Sequence, residues 1–297
     1  MWNLEYDKET LRNMFQEYKR ETLEKSKKVI EKYKEEYEKN LKLDCNLLKD
    51  NITVKFCETE KEKQKWTAFV HLTTSLPYRG AVGRQVKIFI YCGDCIIGMV
   101  HLTSPMAQLK LRDEYIKFTD KWNQLKQIYN IETCVAIPKY SNLLTGKLLV
   151  YIVFSEEVVN YLKNKYKTNV IGFETTSLYG KSSLYNRIDF LKYLGLSEGM
   201  SAVYIKDEEW KKILQQYKEI YPNTNTNRIA PVKYQIVDKL SGWYKKNNID
   251  FPYKYKSECF KRGVYFGYYN KCTTETAIEN WRNRWLIGRA KRLNVVL

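Results

Sequence analysis

From residue 8 to residue 42, apolar side chains recur every three or four positions: Leu11, Met14, Phe15 and Tyr18, then Ile30, Tyr33, Tyr37 and Leu41. That period predicts one long helix with a single narrow apolar stripe. Glu and Lys fill the other faces, with pairs such as Glu21/Lys25 and Glu24/Lys28 one turn apart. The pattern suits a charged helix docked by its stripe, and a coiled-coil or partner-binding arm is the alternative.

After residue 50 the pattern changes. Ile52–Phe56 alternates as a strand does, Glu60–Leu72 reads as a helix, and Val86–Tyr91 and Cys95–Val100 read as strands joined by a Gly93-Asp94 hairpin turn. Helical spacing returns over Leu111–Gln127. The apolar run Ile131–Ile137 is a strand stopped by Pro138, Leu143–Tyr166 a helix, Asn169–Thr175 a strand, Ser183–Tyr193 a helix and Ala202–Ile205 a short strand. The polar, proline-bounded stretch 222–231 is the best linker or exposed loop. Beyond it come a helix near 232–246, an aromatic-rich segment 251–269 and a closing helix near 274–293. The alternation predicts an α/β (α+β) protein with a mixed central sheet flanked by helices. Three regions follow: a helical arm over 1–50, a core over 51–221 and a small basic, aromatic-rich region over 222–297.

Charge adds a partner to this picture. The formal net charge is +17. Residues 1–50 hold 12 basic and 12 acidic side chains, whereas residues 223–297 hold 15 and 5. An excess gathered at one end of the chain is what a phosphate backbone attracts, with counterion release as the driving force. Nucleic acid, double-stranded DNA above all, is therefore the expected partner, and solubility charge is the plain alternative. No apolar run reaches the roughly 18 residues of a membrane span. The first residues lack a basic-then-apolar leader profile. Seven cysteines, an odd number, read as reduced thiols, mostly in the core. The expected location is cytoplasmic.

The candidate chemistry is sparse. Cys92-x-x-Cys95 has no second half at metal-binding spacing, and its hairpin turn explains it, so no metal is expected. His71 and His101 lie in no catalytic motif and read as structural. Arg79 and Arg84 flank the glycines before a strand and are placed to reach a phosphate. Pro138–Lys147 joins a strand to a helix. Asn142 or Ser141 caps that helix, or its free N–H groups seat a phosphate. Glu174 closes an apolar strand, the place for a general base facing a cleft, with Tyr185 as proton donor; a strand-end hydrogen-bonding network is the alternative. In the last helix Trp281 and Trp285 share a core-facing side, while Arg282, Arg284, Arg289 and Arg292 point elsewhere and suit phosphate contact. Solvated arginines on an amphipathic helix are the competing view.

Residues 50–205 carry an ordered set of short motifs. These are Gly80-x-x-Gly83-Arg84 before a strand, Gly98 in the next, Arg112-Asp113-x-x-Ile116, Asn142-Leu143-Leu144-Thr145 opening a helix, Phe173-Glu174-Thr175, Tyr185 and Leu194-Gly195-Leu196. In this order they resemble the domain of the first protein of the Druantia anti-phage system. They are also similar to a divergent GNAT-type acyltransferase core and to the phage Mom proteins, which hypermodify adenine in DNA. The resemblance implies a GNAT-like mixed sheet splayed around a V-shaped cleft between the strands near 131–137 and 169–175. It implies an acyl donor such as acyl-coenzyme A seated by Asn142, Leu143, Thr145 and Gly146. It places Glu174 and Tyr185 where Mom-like proteins have acidic and tyrosine residues, and Thr145 where many members have serine. The GNAT pyrophosphate signature is not present in full. The resemblance points to DNA base modification, with a non-catalytic DNA-binding defence component and an acyltransferase on protein or small amines as the rivals.

Overall fold

A computed structural model describes residues 8–78, 80–81, 83–198, 200–205, 207–223, 232–253 and 256–295. The chain divides into two compact units. One is Asp7–Ser197 together with Gly263–Leu297; the other contains Glu198–Arg262. These units run across the expected boundaries at 50/51 and 221/222.

In the larger unit, α1 (Lys8–Lys25) and α2 (Lys27–Lys42) precede β1 (Ile52–Phe56), α3 (Glu60–Thr73), β2 (Gln85–Cys92) and β3 (Cys95–Thr103). Then come α4 (Lys110–Ile116), α5 (Lys121–Leu125), β4 (Ile128–Ala136), α6 (Pro138–Ser141), α7 (Thr145–Val153), α8 (Glu156–Tyr166), β5 (Gly172–Ser177) and β6 (Lys192–Leu196). The smaller unit holds β7 (Met200–Tyr204), α9 (Asp207–Ile220), α10 (Val232–Lys246) and β8 (Lys256–Phe260). β7 pairs antiparallel with β8, and Ile213, Tyr217, Ile236, Val237, Leu240 and Tyr244 form a separate apolar cluster. The chain then completes the larger unit with β9 (Gly263–Tyr268), α11 (Thr274–Trp281), a π-helical turn (Arg282–Leu286) and α12 (Ile287–Leu293).

The main sheet has the order β1-β2-β3-β4-β5-β9-β6. The mixed α/β class read from the sequence is the one observed. Every neighbouring pair is antiparallel except β4 and β5, which run parallel. A parallel pair needs a crossover, and α6, α7 and α8 supply it. β4 and β5 pair over three positions only, from Ile128↔Gly172 to Asn130↔Glu174. Past that point they part, and the register of β4 against β3 slips at Glu132, between the partners of His101 and Leu102. A bulge bends and twists its strand, which separates β4 from its neighbour. α3 and α4 cover one face of the sheet: Trp66 donates to the Ile88 carbonyl, and Arg112 meets Glu174. α7 and α8 cover the other. Leu149 packs against Gly98, where a Cβ would stand 2.6 Å away, and Tyr161 stacks on Phe56 at 3.7 Å. α11 packs on α7 as an outer layer.

Several expected elements differ. The long first helix breaks at Ser26, and α2 docks through Tyr33, Tyr37 and Asn40. The Asn40 side chain brackets Ile96, donating to its carbonyl at 2.9 Å and accepting from its N–H at 2.8 Å. The helix expected over 111–127 splits where Lys117 turns left-handed (φ 55°). The one expected over 143–166 starts at Thr145, after left-handed Leu144 (φ 60°), and breaks at the fully buried Ser155, which bridges to Cys272. No helix forms over 183–193. Turns occupy 183–187 and 189–190, with Arg187 left-handed, and β6 begins at Lys192. The aromatic-rich segment 251–269 supplies two strands, and β9 inserts between β5 and β6. That insertion is tight: a Cβ on Gly267 would run into the Phe190 carbonyl oxygen. Among the described residues, no helix is long and apolar enough to cross a membrane.

Candidate functional site

Glu174 lies at the point where β4 and β5 part, with no exposed surface. Its Oε2 accepts from Arg112 Nη1 at 2.6 Å and its Oε1 from the Met106 N–H at 2.7 Å. Arg112, equally buried, also donates to the Met106 carbonyl at 2.7 Å and to Asp113 Oδ1 through Nε (2.8 Å) and Nη2 (2.5 Å). Lys121 closes the chain of charges on Asp113 Oδ2 at 2.7 Å. Burial raises the Glu174 pKa, opposed by the Arg112 charge and the hydrogen bonds of Met106 and Arg112. Both carboxylate oxygens are thus engaged, and the side chain clamps the loop after β3 to the middle of the sheet.

Tyr185 sits on the opposite face. Successive strand residues point to opposite sides, so Thr175, not Glu174, meets it. The Tyr185 hydroxyl is 3.4 Å from Thr175 Oγ1, which donates to the Ile131 carbonyl at 2.9 Å across the gap between the strands. The ring is buried, and burial raises its pKa beyond that of an ordinary phenol. Glu174 and Tyr185 are therefore near in position along the sheet but separated by its thickness.

The segment 142–146 spends its polar groups internally. The Asn142 carbonyl accepts from Arg289 Nε at 2.9 Å, the Leu144 carbonyl from Trp281 Nε1 at 3.0 Å, and Thr145 Oγ1 donates to the Tyr140 carbonyl at 2.8 Å. Thr145 is fully buried, and a Cβ on Gly146 would stand 2.7 Å from Leu184. Neither Asn142 nor Ser141 caps α7, because Leu144 is its N-cap residue and gives no side-chain hydrogen bond.

The arginines divide by partner. Arg84 donates to the carbonyls of Lys126, Leu125 and Ile128 and lies 4.2 Å over the Tyr129 ring. Arg282 ties the last helix to the Leu47 and Asp50 carbonyls at 3.0 and 2.9 Å. Arg289 is held by Asn142. Arg292 is exposed, with one bond to Gly288 of its own helix. Arg284 is exposed and ion-paired with Asp189. Arg79 lies outside the described residues. His101 is fully buried against Trp66 and Tyr78, and burial lowers its pKa to about 3, so it stays neutral. Among the described residues, no group of His, Cys, Asp and Glu is arranged to hold a metal ion.

A groove of about 670 Å³ opens beside the π-helical turn. Tyr151, Phe154 and Phe190 bring aromatic surface, Asn270, Asn280 and Asn283 bring carboxamides, and Asp189 with Arg284 closes one side. Among the described residues, none of the three asparagine side chains makes a hydrogen bond. The wider π turn rotates Asn283 and Arg284 relative to a regular helix, and such turns gather at functional sites. Behind the groove, Lys147 Nζ donates to the carbonyls of Leu184 (3.1 Å) and Asn186 (2.7 Å) and sits 4.2 Å over the Trp285 ring. Burial, then the charges of Arg187 and Arg284, lower its pKa to about 8.

The sequence profile of the family described as Druantia protein DruA matches residues 5–231. The chain belongs to this family. The Druantia protein DruA of Escherichia coli (strain UMEA 4076-1) is 26% identical over 157 residues, which are 46% of this chain and 39% of that relative. The matched stretch is thus well under half the relative's length. The DruA-family match ends at 231, so Tyr151, Phe154, Asp189 and Phe190 of the groove lie inside the matched region, and Asn270, Cys272, Asn280, Asn283 and Arg284 lie beyond it. Sequence reasoning fixed on Glu174 and the arginines and missed Arg112 as the partner of Glu174, the groove asparagines and Lys147. The spacing of Asn280, Asn283 and Arg284 at i, i+3 and i+4 was the available signal for a shared helix side.

Proposed function

We propose that this DruA-family chain is a non-catalytic nucleic-acid-binding component of a Druantia-type anti-phage assembly. The observation that carries the reading is the groove, where exposed carboxamides, aromatic faces and an exposed arginine meet. A nucleobase offers hydrogen-bonding edges and a π face, and a phosphate offers charge; the groove answers each of them. The engagement of both Glu174 oxygens supports binding over base chemistry. Arg284 exchanges Asp189 for a phosphate when DNA binds.

Fluorescence anisotropy with labelled duplex and single-stranded DNA at several salt concentrations tests this. The parent chain binds with a negative salt slope. Arg284→Ala flattens that slope by about 0.9 for each phosphate no longer neutralised. Asn280→Ala with Asn283→Ala weakens binding by roughly tenfold, as the removal of one or two modest hydrogen bonds requires. Salt-independent or absent binding by the parent chain overturns the reading.

One observation favours a second reading. The early parting of β4 and β5 is what a GNAT-like core would need for a cleft, with Tyr185 beside it. On that reading the chain modifies a DNA base, and host DNA digested to nucleosides gains a new mass with the parent chain but not with Tyr185→Phe. An unchanged nucleoside profile removes it.

A further inference from the structure

The groove draws its aromatic rings from one face of the sheet, and a second set stands on the other. Successive residues of β9 alternate between the faces. Gly267 faces Phe154 of the groove, where a Cβ would stand 2.9 Å from the ring, so Phe266 and Tyr268 point the opposite way. α4 covers that opposite face only as far as Ile116, because Lys117 turns left-handed (φ 55°) and ends the helix. The rings at the stop stay open to solvent: Tyr115 is 36% exposed and Tyr268 45%, over a fully buried Phe266.

These rings are held by one another. Phe266 meets Tyr115 edge-on at 6.0 Å between centroids and Tyr268 at 5.0 Å. The two tyrosines lie 6.1 Å apart with their planes inclined by 36°, so neither covers the other as a stacked pair would. Phe266 lies over Gly172 of β5, where a Cβ would stand 2.9 Å from the ring. Lys192 is the register partner of Phe266 on β6 and shares its face, with Nζ 4.7 Å from the Tyr115 ring centre. Lys192 and Lys117 are exposed. Glu114 is an exposed carboxylate beside Tyr115 in the chain, while Asp113 is paired with Arg112 and Lys121.

We propose that Tyr115, Tyr268 and Lys192 form a stacking platform for single-stranded DNA. The proposal rests on the reading of the chain as a nucleic-acid-binding protein and adds a second contact, one that takes unpaired strands alone. Every base has a π face, and an aromatic ring held open beside a cation answers both the base and the backbone charge. Bases in a duplex are already stacked on their neighbours, so these rings reach only a strand whose bases are free. Lys192 brings the positive charge that the phosphates require.

The test uses the full chain with a fluorescein-labelled oligodeoxythymidylate of about 15 nucleotides, compared with a duplex of the same length. Tyr115→Ala with Tyr268→Ala should weaken single-strand binding by at least about tenfold and leave duplex affinity unchanged. Tyr115→Phe with Tyr268→Phe keeps both rings and should bind as the parent chain does. When 5-iodouracil replaces thymine, irradiation of the parent complex should crosslink tryptic peptide 113–117 or 263–271, with fragmentation placing the adduct at Tyr115 or Tyr268. Thermal melting confirms that each variant folds. A parent chain that binds the duplex but not the single strand overturns the platform and leaves the groove reading standing; Arg284→Ala on the duplex reads the groove by itself. Unchanged single-strand affinity in the double alanine variant, an equal loss on the duplex, or crosslinks confined to other peptides also overturns the proposal. So does loss of self-association in that variant with DNA binding intact, which would make this face an interface between copies.

Discussion

Removing the Glu174 carboxylate should cost more stability than any surface charge in the protein. Glu174→Ala leaves the Met106 N–H without its acceptor and strips the carboxylate from Arg112 Nη1, which keeps only the Met106 carbonyl, in a site that excludes water. Arg112 keeps Asp113, so the guanidinium is not wholly stranded. Breaking one side of a buried ion pair costs about 3–5 kcal/mol, most of it for the charge left behind. For a unit of this size each kcal/mol moves the melting temperature by about 2–4 °C, so Glu174→Ala should melt about 10 °C lower. Arg112→Met with Glu174→Leu removes both charges, and the pair should be less destabilising than the two single changes added together by roughly 2 kcal/mol. Calorimetry on the parent, Glu174→Ala, Arg112→Met, Glu174→Leu and the double variant reads both quantities. A single-variant cost below about 1 kcal/mol, or strict additivity, refutes the structural role. The same data guard the functional reading, since loss of defence by a Glu174→Ala chain that melts normally would be a signature of chemistry.

Two further outcomes follow from the packing. Lys147 has its pKa lowered from 10.5 to about 8, so between those values the unfolded chain holds a proton that the folded chain has released. Stability then rises with pH across that window, and the melting temperature of the parent chain relative to Lys147→Met should climb from pH 8 to pH 10 by an amount worth about 1–2 kcal/mol; a flat difference refutes it. Gly267→Ala should destabilise by about 1–3 kcal/mol through overpacking, because its new methyl meets the Phe190 backbone carbonyl oxygen; an unchanged urea midpoint would show that the strand moves aside.

Local pattern carried the elements that local forces decide. The alternation of Ile52–Phe56, the hairpin at Gly93-Asp94 and the shared side of Trp281 and Trp285 all appear as read, the tryptophans buried at 0% and 7% exposure. The segment 183–193 shows why the rest was hidden. Leu184, Ile188 and Leu191 keep helical spacing, yet Lys147 takes the carbonyls of Leu184 and Asn186 that a helix would bond to its own N–H groups. That competitor lies 37 residues away from Leu184, beyond any window of periodicity. Glu174 was legible as a strand-end carboxylate, but its partner was not, because Arg112 and Glu174 are 62 residues apart and meet only through the sheet. That Arg282 and Arg289 serve carbonyls rather than solvent depends on segments 235 and 147 residues earlier.

The late arrival of β9 has a consequence for biogenesis. When the ribosome has made β5 and β6, β5 has β4 on one side only and β6 has no partner, since the strand that joins them begins only at Gly263. Until then both present open edges, the geometry that invites pairing with other nascent chains. Vectorial synthesis must therefore carry an unfinished sheet through the emergence of the whole 198–262 segment, and slow translation across that stretch would lengthen the period in which a chaperone is needed.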